Sequence, residues 1–114
     1  MKDDSVHIRH IFDSIEKIET YTRGGREIFV ADSMVADAVV RKLQTLAESA
    51  TRISPELKKR FPQVEWRAIA RFRNVLVHDY LGLDLERVWN IVTVDLPPLK
   101  KQVAAILPSL STDA

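Results

Sequence analysis

The stretch RNVLVHDY, residues 73–80, decides how the fold of this chain is interpreted. It places a guanidinium, an amide, an imidazole and a phenol within two helical turns. The segments before it are predicted to be helices that build a scaffold. Those after it are predicted to be helices that cover it. No other segment of the sequence concentrates groups able to do chemistry in this way.

Composition indicates one ordinary folded domain. The chain has 114 residues, of which 46% are hydrophobic and 29% charged, and a chain of this length can bury a core without covalent cross-links. We expect a single domain over residues 1–114, with 109–114 as a frayed tail. The net charge of +1 gives no global field that attracts nucleic acid, so contact with RNA needs a local basic patch.

Several classes of site are excluded or disfavoured. The chain has no cysteine, which excludes disulfides and thiolate metal sites. His7 and His10 lie three residues apart, but no third ligand is evident, so we predict no metal and no cofactor. No apolar run reaches the length of a membrane span, and the N-terminus lacks a signal-peptide region. We therefore expect a cytoplasmic protein with no membrane partner.

Helical periodicity without strand-like alternation predicts an all-α bundle of about five to six helices. A first helix is expected over residues 4–22, capped by Asp4 or Ser5, and the glycines that follow it should end it. Its apolar stripe at helical spacing consists of Ile8, Ile11, Phe12, Ile15, Ile18 and Tyr21. A long helix over 33–53, capped by Asp32 or Ser33, has an apolar side broad enough for a central helix or a dimer contact.

The second half of the chain is predicted to contain the remaining helices. Ser54 and Pro55 signal the start of a short helix with a basic cluster, Lys58–Arg60, a pattern that alone usually means a solvated face. A further helix spans 64–80. Residues 85–94 form the next, capped by Asp84. A break near Asp95 and a last helix that Pro108 ends follow it.

The helix over 64–80 separates its side chains into two arcs. Its narrow polar arc contains Arg67, Arg71, Asn74 and His78, at about 100° per residue. Its apolar arc contains Trp66, Ile69, Ala70, Leu76 and Val77. Arg73 falls inside the apolar arc, with Tyr80 close to it. Because a guanidinium there is costly unless paired or facing water, Arg73 either binds an acidic partner inside the fold or lies at the rim of a cleft.

An arginine and a histidine together suffice for one known kind of RNA chemistry. Histidine exchanges a proton near neutral pH. Arginine binds a phosphate bidentately and offsets the charge of a pentacovalent transition state. The pair can promote attack of a ribose 2′-hydroxyl on its neighbouring phosphate without a metal. Five positions along a helix turn Arg73 and His78 roughly 140° apart, so their convergence needs the long arginine side chain, helix distortion or a second subunit.

The stretch RNVLVHDY resembles the R-x4-H-x-Y motif of HepT-type toxins in the HEPN superfamily. Flanking segments resemble the same family: Asp37–Arg41, Ile53–Leu57, Val88–Val92 and Asp95–Pro97. The resemblance extends from the first helix to about Leu107. It implies a HEPN helical bundle, a homodimer with the motif at a cleft between subunits, and metal-independent endoribonuclease activity.

The resemblance also assigns roles to residues. Arg73 and His78 become the catalytic pair, with Asn74 in support. Tyr80 matches the tyrosine that a cognate minimal nucleotidyltransferase antitoxin modifies with AMP, which would obstruct RNA. The implied protein is the toxin of a type VII-like HEPN–MNT toxin–antitoxin system. The two cations of the polar arc, Arg67 and Arg71, are then RNA-binding candidates, and the basic cluster Lys58–Arg60 is a further candidate for phosphate contacts.

Two other interpretations remain open from the sequence. In the first, the chain is a non-catalytic helical partner or regulatory subunit of a nucleotidyltransferase, and Tyr80 serves as a docking or modification site. In the second, the bundle is structural and His78 satisfies buried backbone groups. Substituting His78 by alanine separates the enzyme from the adaptor, because only the enzyme has cleavage to lose.

Overall fold

A computed structural model describes residues 2–77 and 84–111 of the chain. The helices are α1 (Lys2–Tyr21), α2 (Arg26–Ala31), α3 (Ser33–Thr51), α4 (Pro55–Arg60), α5 (Trp66–Val77), α6 (Leu85–Asn90) and α7 (Leu96–Ser111). A π-helical turn, Ile91–Asp95, joins α6 directly to α7. The described residues contain no strand. The predicted all-α bundle is confirmed, and counting α6 to α7 as one rod gives six helices in the described ranges.

The core is built around α3, which packs against both α1 and α5. The helix α1 also packs against α7. Fully buried side chains of these helices include Ile8, Ile11, Ile15 and Ile18 of α1, Val39, Leu43 and Leu46 of α3, and Val103 and Ile106 of α7. Each such aliphatic side chain contributes about 1.5–3 kcal/mol through removal from water. The broad apolar side of α3 is therefore explained by its central position.

Three predicted helix caps are confirmed. The side chains of Asp32, Ser54 and Asp84 accept hydrogen bonds from backbone N–H groups two or three residues later, at 3.0, 3.2 and 3.2 Å. Each satisfies a donor that the first turn of a helix leaves unpaired. Gly25, with φ of +88°, precedes α2, and the predicted break after the first helix is present.

The first helix begins earlier than the sequence predicted. Because α1 begins at Lys2, Asp4 lies inside its first turn instead of capping it. The Asp4 carboxylate is buried, and it accepts hydrogen bonds from the backbone N–H and the hydroxyl of Ser54. A local capping rule does not detect this role, since the two residues are 50 positions apart.

The predicted end of α7 at Pro108 is wrong. The helix continues through this proline, which removes one backbone donor near the end of the helix. The last turn is held by Leu110, which is buried, and the Ser109 hydroxyl donates to the Ile106 carbonyl at 2.7 Å. Residues 109–111 are thus helical where a frayed tail was expected. Residues 112–114 lie outside the described ranges.

The predicted break near Asp95 takes the form of the π-helical turn. Pro97 and Pro98 then occupy the first turn of α7. Because neither can donate a backbone hydrogen bond to the preceding turn, they lie where the regular α-helical bonding pattern is interrupted. None of the described helices combines the length and the apolar character needed to cross a membrane.

Candidate functional site

The solvent face of α5 is basic. Arg67, Arg71 and Arg73 are all exposed, whereas Ile69 and Phe72 are buried. The exposure of Arg73 corrects its placement on the apolar arc. The buried face is centred between Ile69 and Phe72, so Arg73, about 40° beyond Ile69 around the helix, lies at its edge. Ala70, also assigned to the apolar arc, is exposed because it lies about 100° beyond Ile69, outside the buried face.

Arg73 lines an open groove of about 300 Å³ between α3 and α5. The α3 wall of this groove consists of Arg41, Gln44, Thr45 and Glu48. Neither Arg41 nor Arg73 forms an ion pair with any residue of the described ranges, whereas Glu48 lies 3.8 Å from the guanidinium of Arg52. Arg73 therefore occupies the rim of a cleft between helices, and two guanidinium groups of this groove are available to an anion.

The structure places only part of the predicted site. Arg73, Arg67 and Arg71 are described, and Asn74 lies in α5 next to Arg73. His78 and Tyr80 lie outside the described residues, so the catalytic pair and the modification site remain predictions. The described part of α5 reaches Val77, one residue before the predicted histidine.

Arg41 is a groove residue that the sequence interpretation missed. It belongs to the polar face of α3, where a charged side chain ordinarily needs no explanation. Its proximity to Arg73 depends on how α3 and α5 pack, which no local pattern shows. The resemblance of residues 37–41 to a family segment was the one signal that pointed to this part of α3.

A second groove, of about 490 Å³, lies between α4 and α5. Its lining consists of Lys58, Pro62, Val64, Glu65, Trp66, Arg67 and Ala70. Trp66 is partly exposed here, and the Lys58 ammonium lies 6.0 Å from the centre of its ring. The groove combines two cations with an aromatic face, and the sequence interpretation, which assigned Trp66 to the apolar arc, did not foresee this.

The histidine pair on α1 does not form part of a larger ligand cluster. The His7 and His10 rings meet edge to face, with centroids 6.3 Å apart. Across residues 2–77 and 84–111, no three potential ligands of the His, Asp and Glu types come together as a metal site would require.

Comparison with known proteins identifies relatives across nearly the whole chain. The profile of the family described as Ribonuclease HepT-like matches residues 11–106. A Thermococcus cleftensis protein named "Probable ribonuclease HepT" is 36% identical over 95 residues, which cover 82% of this chain and 86% of the relative. A proposed RNase of Caldanaerobacter subterraneus is 31% identical over 108 residues, 94% of this chain and 96% of the relative.

A third relative is longer than this chain. It is a Methanocaldococcus jannaschii protein named as a gamma-glutamylcyclotransferase and a proposed RNase, 32% identical over 110 residues. The match covers 96% of this chain and 50% of that protein, so the chain spans about half the length of this relative. No solved structure gives a significant match.

Proposed function

Because the chain belongs to the ribonuclease HepT-like family, we propose that it is a metal-independent endoribonuclease with Arg73 and His78 as its catalytic pair. The observation that carries this proposal is the position of Arg73. Its guanidinium is exposed, has no ion pair within the described residues, and lines the groove between α3 and α5. A structural arginine at the edge of an apolar face would be expected to have an acidic partner.

The proposed reaction is an internal transesterification. The His78 imidazole takes the proton of a ribose 2′-hydroxyl, and that oxygen attacks the neighbouring phosphorus. The bond from phosphorus to the 5′-oxygen breaks, and a water molecule protonates the leaving oxygen. The hydroxide that remains takes the proton from His78, which restores the base. The products are a 2′,3′-cyclic phosphate and a 5′-hydroxyl. Arg73 holds the non-bridging oxygens and offsets the charge that accumulates on them, with Asn74 in support.

RNA would reach this site along the basic face of α5. Arg67 and Arg71 are exposed on that helix and are proposed to bind phosphates on either side of the cleaved bond. The groove adds Arg41 from α3. Binding through such contacts should weaken steeply as salt concentration rises, since each neutralised phosphate releases counterions.

A homodimer would complete the site. Arg73 and His78 project in directions roughly 140° apart on a regular helix, so a two-fold axis near this end of α5 would bring both copies of the motif to one cleft. We propose this arrangement as the active form.

Control of the enzyme is proposed to act on Tyr80. A cognate minimal nucleotidyltransferase would attach AMP to its hydroxyl, two residues from the catalytic histidine. The added phosphate is negatively charged and the nucleotide is bulky, so it would repel RNA phosphates and fill the path to Arg73. The chain would thus be the toxin of a toxin–antitoxin pair, and its partner would restore growth by modifying it.

The direct test is cleavage of single-stranded RNA in EDTA, with Tyr80 shown to be unmodified by intact mass. The parent protein should cleave and release 2′,3′-cyclic phosphate ends, and the His78→Ala protein should not. The Arg23→Ala protein is a matched control, because Arg23 is exposed and lines neither of the two α5 grooves. Absence of cleavage by the unmodified parent would favour the alternative role, a non-catalytic partner of a nucleotidyltransferase.

A further inference from the structure

The groove between α4 and α5 contains more than phosphate binding requires. Phosphate contacts need only cations and hydrogen-bond donors, which Lys58 and Arg67 supply. The groove also presents the partly exposed ring of Trp66 beside them. An aromatic face flanked by cations is the arrangement by which proteins bind single-stranded nucleic acid, since every base can stack on it.

The Trp66 ring is held in one orientation. Its Nε1–H donates to the Phe61 carbonyl at 3.1 Å, and Phe61 ends α4. The Lys58 ammonium lies over the ring at 6.0 Å from the centroid, within the range of a cation–π contact. The ring therefore has a fixed orientation before binding, and a base that stacks on the face covered by Lys58 would displace the ammonium towards the phosphate beside that base.

The groove and the proposed cleavage site are both lined by residues of α5, Arg67 and Ala70 in the first and Arg73 in the second. Arg67, Ala70 and Arg73 follow each other at intervals of three residues on α5, and all three are exposed. They form one ridge of the helix, about 9 Å long from Arg67 to Arg73. The small side chain of Ala70 between the two arginines leaves this path open, so one RNA strand could contact both grooves.

We propose that the groove between α4 and α5 is a base-stacking subsite for single-stranded RNA. Trp66 stacks on one base, and Lys58 and Arg67 bind the phosphates beside it. This subsite rests on the proposed function and deepens it, because it specifies the form of the substrate. Duplex RNA presents no unstacked base to Trp66, so unpaired RNA is the favoured ligand.

One acidic residue opposes this charge pattern. Glu65 lines the same groove, and its carboxylate would lie near any phosphate that Arg67 binds. A variant that lacks the Glu65 carboxylate should therefore bind RNA more tightly than the parent protein. Glu65→Gln removes the repulsion on an exposed side chain and should tighten RNA binding several-fold at low salt.

The first arm of the test uses tryptophan fluorescence. The chain has two tryptophans, and the second, Trp89, packs on Phe29 with ring centroids 5.2 Å apart. In the Trp89→Phe/His78→Ala protein, Trp66 is the sole emitter and no RNA is consumed. Single-stranded RNA should quench this emission saturably, and duplex RNA should quench it far less. RNA binding measured by filter retention without any quenching would overturn the proposal.

The second arm compares neighbouring cations. Lys58→Gln should weaken binding of single-stranded RNA several-fold, and Lys59→Gln should have a clearly smaller effect, because Lys59 is exposed on the same helix but does not line the groove. Trp66→Leu should weaken binding by roughly fivefold to a hundredfold, the range for loss of one stacked base. Equal losses of RNA affinity in Lys58→Gln and Lys59→Gln would mean that RNA is attracted by general charge alone, and would overturn the proposed subsite.

The two proposals can fail separately. Binding is measured in the His78→Ala background, so it does not depend on turnover. Quenching of Trp66 by RNA with no cleavage by the parent would retain the subsite and reject the nuclease. Cleavage by the parent with no quenching would retain the nuclease and reject the subsite. Quenching caused by a peptide ligand and not by RNA would also reject it.

Discussion

The buried carboxylate of Asp4 accepts two hydrogen bonds from Ser54, from the backbone N–H at 2.9 Å and from the hydroxyl at 2.6 Å. The same hydroxyl accepts from the backbone N–H of Leu57 at 3.2 Å. One carboxylate therefore joins the start of α1 to the cap of α4, the helix that carries Lys58. This contact between the N-terminal helix and the middle of the chain helps to position α4, which forms one wall of the groove between α4 and α5.

Loss of the Asp4 carboxylate should destabilise the fold. Asp4→Asn replaces a charged acceptor of two bonds by an amide that can accept at one atom only, so the free energy of unfolding should fall by about 1–3 kcal/mol. Urea denaturation measures the change. The exposed neighbour provides the control, since Asp3→Asn should shift the midpoint little. An Asp4→Asn protein as stable as the parent would show that the buried contact contributes nothing net.

The turn before α2 needs glycine at position 25. Its φ of +88° and ψ of −177° lie in a region that side-chain-bearing residues rarely occupy. No other atoms lie near an added Cβ there, so the cost of Gly25→Ala is backbone strain alone, about 1–3 kcal/mol. Thermal unfolding should show a lower midpoint for this variant. An unchanged midpoint would mean that the turn relaxes to an ordinary conformation.

Lys100 provides a pH-dependent contribution to stability. Its ammonium donates to the Glu19 carboxylate at 2.8 Å, and this hydrogen bond raises the pKa of Lys100 above its ordinary value of 10.5. A raised lysine pKa means that the folded state retains the proton more tightly than the unfolded state does. The stabilisation is complete at neutral pH and is lost as pH rises above about 10.5.

The measurement is the difference in unfolding free energy between parent and Lys100→Gln across this range. The difference should favour the parent at pH 7 and shrink at alkaline pH. Lys101→Gln is the control for general charge effects, because Lys101 is exposed on the same helix. A difference that grows with pH would contradict the assigned pKa direction.

Arg41 should affect RNA binding more than the chemical step. It faces the groove from α3 opposite Arg73, where it can hold a phosphate next to the reacting one. Arg41→Gln should raise KM several-fold and change kcat little. Arg52→Gln is a control on the same side of the molecule, since Arg52 lies next to Glu48 but does not line the groove. An effect confined to kcat would instead place Arg41 at the reacting phosphate.

Local rules predicted much of the fold and little of the groove geometry. The isoleucine stripe of α1 and the caps at Asp32, Ser54 and Asp84 follow from spacing within one or two turns, and all are confirmed. The Asp4 contact was not predictable in this way, because it joins distant segments. The continuation of α7 through Pro108 depends on the burial of Leu110. This burial results from tertiary packing and cannot be inferred from helix propensity.

The candidate site shows the same division. The helical wheel made Arg73 unusual because it placed a guanidinium on the apolar side, and the exposure of Arg73 shows that this placement was wrong. A helical wheel contains no information about the position of α3, and that position determines where the buried face of α5 ends. Arg41 and the exposed ring of Trp66 depend equally on that packing. Family resemblance supplied the proposed roles of His78 and Tyr80, which the described residues do not include.

The central claim is that Arg73 stabilises the transition state of RNA cleavage from the groove between α3 and α5. It is tested most directly by the rate of RNA cleavage with Arg73→Ala and Arg73→Lys beside the parent, in EDTA, with Tyr80 unmodified. Because Arg73 is exposed, both variants should fold like the parent. Arg73→Ala should lose about a hundredfold or more in kcat, and Arg73→Lys should recover part of it, since lysine keeps the charge but not the bidentate geometry. An Arg73→Ala protein that cleaves RNA at the parental rate would contradict the account.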